Sequence, residues 1–177
     1  MTEGNILKTK NKIQIMIHLA ILITLEIVLS RFLSISTPIV KISFAFLPVA
    51  IGAMLYGPMA GGIIGGLSDL VGAILFPIGM YFPGFTLSAF LIGVIYGVLL
   101  SKNNTWMNLI LAVLINRLCI SLFLSTYWLM ILTNIPFEIL FSTRLIPNLI
   151  IIPIEIFVLR LFQAKIRLLQ PCLAGLK

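Results

Sequence analysis

Five ionisable side chains lie inside long apolar runs of this chain: His18, Glu26, Asp69, Arg117 and Glu155. A charge at mid-bilayer costs about 2.5–3.5 kcal/mol on insertion scales, so such residues face inward and pair or line a polar site. Three more cations, Arg31, Lys41 and Arg144, sit just beyond apolar runs. They fall at the ends that the charge pattern assigns to the outside. Together the two groups suggest an outward-opening polar pocket for an anionic ligand. The bland alternatives are structural ion pairs, such as Arg117 with Asp69 or Glu155, and snorkelling to lipid headgroups. Around the two loops on that side gather Phe44, Phe46, Phe76, Tyr81, Phe82 and Phe85. They can serve as packing, as interface anchors, or as a stacking wall for a flat ring.

What must position these groups follows from composition. The chain has 177 residues, of which 60% are hydrophobic and 10% charged. Soluble domains carry about 25% charged residues, so lipid is the solvent here. A spanning helix takes about 20 apolar residues, and the alternation of a membrane barrel is absent. The expected fold is therefore an all-α integral membrane protein of about six transmembrane helices, forming a single domain over 1–177.

The expected helices are 13–32, 44–56, 59–76, 85–100, 106–131 and 143–161 or beyond. The second is short for a full span. Leu33–Ser43 and the uncharged Pro77–Gly84, including Gly79, read as loops, and the latter as an inward-folded lid. Residues 133–142 read as a third loop. Small residues at helical spacing, among them Gly61 and Gly65, allow close helix contact in lipid.

Lys8, Lys10, Lys12, Lys102, Lys165, Arg167 and Lys177 fall on one side of this arrangement. By the positive-inside bias, that side, with both termini, is cytoplasmic: a 1–12 segment and a 166–177 tail. Trp106 then marks the inner interface, and Tyr127 with Trp128 the outer one. The first run is too long for a signal peptide and reads as a retained helix. Membrane topology accounts for the net charge of +7, so no nucleic acid is expected.

Enzyme chemistry finds little support. One histidine cannot form H-E-x-x-H, and no phosphate-binding loop G-x-x-x-x-G-K-[ST] is present. Gly66-Leu67-Ser68-Asp69 matches a short serine-protease pattern, but the sole base candidate, His18, falls in the opposite leaflet half. Cys119 and Cys172 show no disulfide framework or metal-ligand spacing. No cofactor or metal is expected.

Several stretches resemble one family. Ser30-Arg31-Phe32-Leu33-Ser34-Ile35-Ser36-Thr37-Pro38 with Lys41-Ile42-Ser43-Phe44 is one, and Tyr81-Phe82-Pro83-Gly84-Phe85-Thr86-Leu87-Ser88-Ala89-Phe90 is another. Tyr56-Gly57-Pro58, Gly65-Gly66-Leu67-Ser68-Asp69 and Arg144-Leu145-Ile146-Pro147-Asn148 continue the likeness. The chain resembles the folate-specific substrate-binding (S) components of energy-coupling-factor (ECF) transporters.

The resemblance implies a plasma-membrane subunit, not an enzyme, that captures folate outside. It would dock on a transmembrane T subunit carrying two cytosolic ATPases. The family's Ala-x-x-x-Ala docking pattern has as its best counterpart Ala20 with Thr24. The folate glutamate suits Arg31, Lys41 or Arg144, and the rings suit the aromatic loop. The pterin N–H edge suits an acceptor on Asp69 or Asn148. Two readings stay open beside it, an S-component for another vitamin and a stand-alone secondary transporter with acidic proton relays.

Overall fold

The computed structural model describes residues 3–36, 41–77, 81–101 and 105–174. Helix α1 covers Glu3–Arg31. It leads into a small antiparallel hairpin, β1 (Ser34–Ser36) and β2 (Lys41–Ser43), with Ile35 opposite Ile42. Then follow α2 (Phe46–Tyr56), α3 (Pro58–Leu75) and α4 (Pro83–Leu100). The fifth pass, Trp106–Thr133, is one apolar rod with three parts: α5 (Trp106–Leu114), a π-helix (Ile115–Leu124) and α6 (Ser125–Thr133). Helix α7 covers Phe137–Ala174.

Five of these helices are long and apolar enough to cross a membrane; α2 is the exception. Its 11 residues rise about 16 Å, against a hydrocarbon core of about 30 Å. Its faces are instead covered by neighbours, with Ala50 and Ala53 fully buried.

The passes alternate in direction, as paired positions along neighbouring helices show. His18 meets Tyr56, and Leu22 lies against Gly52. Gly65 faces Ala89, Gly61 faces Gly93, and Gly97 faces Pro58. Arg144 reaches Thr126 and Arg160 reaches Trp106. The helical bundle thus has a hairpin end and an opposite, termini end.

Glycine makes the α3–α4 contact possible. A Cβ on Gly93 would collide with the Gly61 backbone, and one on Gly65 with the Ala89 carbonyl. Such backbone-to-backbone approach is how helices associate in lipid, where no hydrophobic effect drives them together. Gly57, at φ 91°, makes the α2–α3 turn in a conformation that other residues rarely adopt.

Several sequence expectations need correction. Residues 34–36 and 41–43 form strands rather than an irregular loop, because the hairpin pairs backbone groups that a loop would leave unsatisfied. Residues 137–142 belong to α7, not to a loop, with Glu138 in its first turn, where negative charge suits the helix dipole. Helix α7 also passes through Pro147 and Pro153 and on to Ala174, where a tail was expected. Prolines are tolerated in membrane helices because neighbours re-satisfy freed backbone groups.

Trp128 packs within the bundle. Its Nε1 donates to Ser88 Oγ (3.2 Å), and its ring packs on Phe82 and over Gly84. Tyr127, beside it, remains exposed.

Candidate functional site: a polar cavity in the bundle

A cavity of about 190 Å³ lies between α1, α2, α3, α4, the fifth pass and α7. Apolar walls come from Phe46, Val49 and Ile92, and polar groups from Glu26, Ser43, Asn116, Arg117, Ser121 and Glu155. Ser43, the last residue of β2, places the hairpin at its rim.

The centre of the polar wall is a buried charge pair. Arg117 Nε donates to Glu155 Oε2, and the Tyr96 hydroxyl donates to Glu155 Oε1. Glu155 is 1% exposed. Each carboxylate oxygen thus has a donor, which an isolated charge inside a membrane protein requires. Arg117 also lies under the Phe46 ring, 6.0 Å from its centroid. The guanidinium is held between an anion and an aromatic face.

The π-helix supplies the rest of this wall. In a π-helix the hydrogen bonds run to the fifth residue, and the wider turn brings residues five apart toward one side. An α-helical period would turn Asn116 away from Ser121; here Asn116, Arg117, Ser121 and Ser125 all face the cavity. Asn116 is 2% exposed, and its Nδ2 donates to Ile92 O at 3.4 Å.

Other expected site residues form two further clusters toward the hairpin end. Arg31 and Asp69 meet each other: Arg31 Nη2 lies 3.8 Å from Asp69 Oδ1 and 3.5 Å from its backbone oxygen. Thr86 Oγ1 donates to Asp69 Oδ2 at 2.8 Å, and the Tyr81 hydroxyl lies 3.1 Å from Thr86 Oγ1. This chain of contacts ties the end of α1 to α3 and to the start of α4. It stands outside the residues lining the cavity.

The second cluster joins the fifth pass to α7. Arg144 Nη1 donates to the Thr126 hydroxyl at 3.1 Å. Asn148 Nδ2 donates to Arg144 O at 2.9 Å, while its Oδ1 accepts from Ser121 at 3.1 Å. Phe82 packs between Phe85 and Trp128, and Phe44, half exposed, leans on Phe46. The backbone of Lys41 pairs with Ser36 in the hairpin. Its side chain, and all of Gly79, lie outside the described residues.

Gly61 and Gly65 do not offer a partner face. Both are buried against α4, so their small size is used within the chain. Ala20 and Thr24 are exposed on α1, with Thr24 Oγ1 bonded back to Ala20 O (2.9 Å).

Against this geometry the comparisons are decisive. The chain matches the family model "ECF transporter, substrate-specific component" over residues 14–161. It belongs to that family. It is therefore a multi-pass membrane protein and a subunit of a transporter. It is 48% identical over 149 residues to the folate transporter FolT of Clostridium novyi (strain NT), covering 84% of this chain and 87% of the relative. It is 33% identical over 145 residues to the folate transporter FolT of Leuconostoc mesenteroides subsp. mesenteroides, covering 78% of each. A crystal structure of FolT bound with folic acid superimposes with a TM-score of 0.79 at 37% identity, covering 84% of this chain and 93% of the other.

Tyr96, Asn116, Ser121 and Ser125 are polar residues of the cavity wall that sequence reading passes over. None is charged, and the signal that unites Asn116 with Ser121 is a backbone widening without a sequence signature.

Proposed function

We propose that this S-component binds folate in the cavity beside Arg117 and Glu155, with the hairpin end facing outward and both termini in the cytoplasm. The observation that carries the reading is this polar-walled, aromatic-flanked cavity in a chain similar over most of its length to a FolT bound with folic acid. Pockets for drug-sized ligands run about 300–1,000 Å³. The cavity, at about 190 Å³, suits one end of an elongated ligand. The flat pterin is the end that fits apolar walls and a few fixed hydrogen-bonding groups. The aminobenzoate and glutamate then extend toward the hairpin and the aromatics at the start of α4.

The glutamate dianion calls for cations at that end. Arg31 is already engaged by Asp69, which leaves Arg144 and Lys41 as its contacts. Aromatic side chains Phe44, Tyr81 and Phe82 cover the rings, and Asn148 holds Arg144 in place through its backbone oxygen. The chain carries no phosphate-binding loop, so uptake is driven by partners: a transmembrane T subunit and two cytosolic ATPases. The exposed Ala20 and Thr24 face of α1 meets the T subunit.

Calorimetric titration of the purified chain in detergent tests the ligand. Folic acid is expected to bind tightly, and riboflavin, thiamine and biotin to give no measurable heat of binding. Tight binding of another of these vitamins, or none of folic acid, overturns the assignment.

A further inference from the structure

Asn116 is the one cavity-lining amide whose acceptor is both buried and unused among the described residues. The residue is 2% exposed, and its Oδ1 has no hydrogen-bond donor. A buried acceptor left in this state costs about 1–3 kcal/mol, and native interiors rarely tolerate it without a reason. The amide orientation follows from its surroundings. The neighbouring Ile92 oxygen is a carbonyl and can only accept, so the side that faces it must be Nδ2. Oδ1 is thereby left as the acceptor.

Several other polar groups in and next to the wall are already committed. Glu155 takes one donor on each oxygen, from Tyr96 and Arg117. Asn148 Oδ1 accepts from Ser121, and Asp69 accepts from Thr86 and faces Arg31. A ligand that brings an N–H donor to the cavity therefore finds an open acceptor on Asn116. The π-helix holds the residue there by turning it to the same side as Ser121 and Arg117.

We infer that Asn116 is a specificity-determining residue of the cavity: its Oδ1 accepts a hydrogen bond from the amino group at position 2 of the bound heterocycle. This rests on the folate reading above, and it replaces Asp69 and Asn148 as the acceptor of the pterin N–H edge. A site that hydrogen-bonds a substrate N–H rejects an analogue lacking it, because the buried acceptor is then left unpaired.

The test is a titration of wild type and Asn116→Leu with folic acid and with the analogue carrying methyl in place of the 2-amino group. Wild type is expected to bind the analogue roughly 5- to 150-fold more weakly than folic acid, the range set by one unsatisfied buried group. Asn116→Leu is expected to bind folic acid more weakly by a similar factor, and to lose most of the preference between the two ligands. Wild type binding both ligands equally overturns the inference, as does an Asn116→Leu protein that keeps the full preference. If Asn116→Leu does not fold, the wild-type comparison stands by itself, and Asn116→Ala takes the variant's place with the same expected outcome. Failure of wild type to bind folic acid at all overturns the folate reading and this inference with it. Normal folic acid binding with no effect at Asn116 overturns only the inference.

Discussion

Arg144 donates to a hydroxyl, and neither the Arg31–Asp69 nor the Arg117–Glu155 pair supplies it with a carboxylate. Charge-assisted hydrogen bonds contribute about 1.5–3 kcal/mol each, and an arginine fork suits a carboxylate better than a point charge does. Arg144→Ala is expected to weaken folic acid binding roughly 10- to 150-fold and to leave pteroic acid, which lacks the glutamate, unaffected. Equal weakening of both ligands in calorimetry would place Arg144 on the ring system or in the fold instead. Glu155 differs in kind, since it is fully buried between two donors. Removing one partner of a buried pair costs about 3–5 kcal/mol, while replacing both by apolar groups is often neutral. Thermal unfolding in detergent should therefore show a lowered midpoint for Glu155→Ala and a largely restored one for Arg117→Met with Glu155→Leu. An unchanged midpoint in Glu155→Ala would show that the pair carries no stability.

The charged members of these clusters stood out in the sequence because charge in an apolar run is expensive. Pairing was harder to read: Arg31 with Asp69 joins helices whose relative rotation no single run specifies. Asn116 and Tyr96 are uncharged and carried no comparable signal.

At the scale of elements, the α3–α4 contact has the least room for change. Gly93→Leu would drive a side chain into the Gly61 backbone, and backbone cannot move aside as a flexible side chain can. The expected result is loss of folded protein on size-exclusion chromatography. Val98→Leu, on the exposed face of the same helix, should change stability by no more than about 0.5 kcal/mol. A monodisperse, stable Gly93→Leu protein would contradict this packing. The long helices were legible from apolar length alone, and their ends came within a few residues at α3 and α4. The short α2 was marked in the sequence by Gly57-Pro58. By contrast, the hairpin and the early start of α7 depend on tertiary partners, and the π-helix on backbone geometry, so none of them follows from hydropathy. The small-residue run on α3 was legible as a close-packing face, but not the helix it packs against.

For the whole molecule, the face left uncovered matters most. Only 6% of the α1 span is buried inside the chain, so this helix contributes most of its surface to lipid and to partners. Ala20→Trp, which places bulk on that face, is expected to reduce co-purification with the T subunit and folate uptake into cells, with folic acid binding by the isolated chain unchanged. Full uptake by the Ala20→Trp protein would move the docking face elsewhere. On the function proposed above, the bundle supplies the ligand cavity and partner chains supply the energy.

A structure of the chain determined with folic acid bound tests the central claim most directly. The pterin is expected in the cavity against Phe46, with its 2-amino group in hydrogen-bonding reach of Asn116 Oδ1 and the glutamate pointing toward Arg144 and the hairpin. Folic acid lying outside the cavity, with the Arg117–Glu155 pair remote from the pterin, would contradict the account.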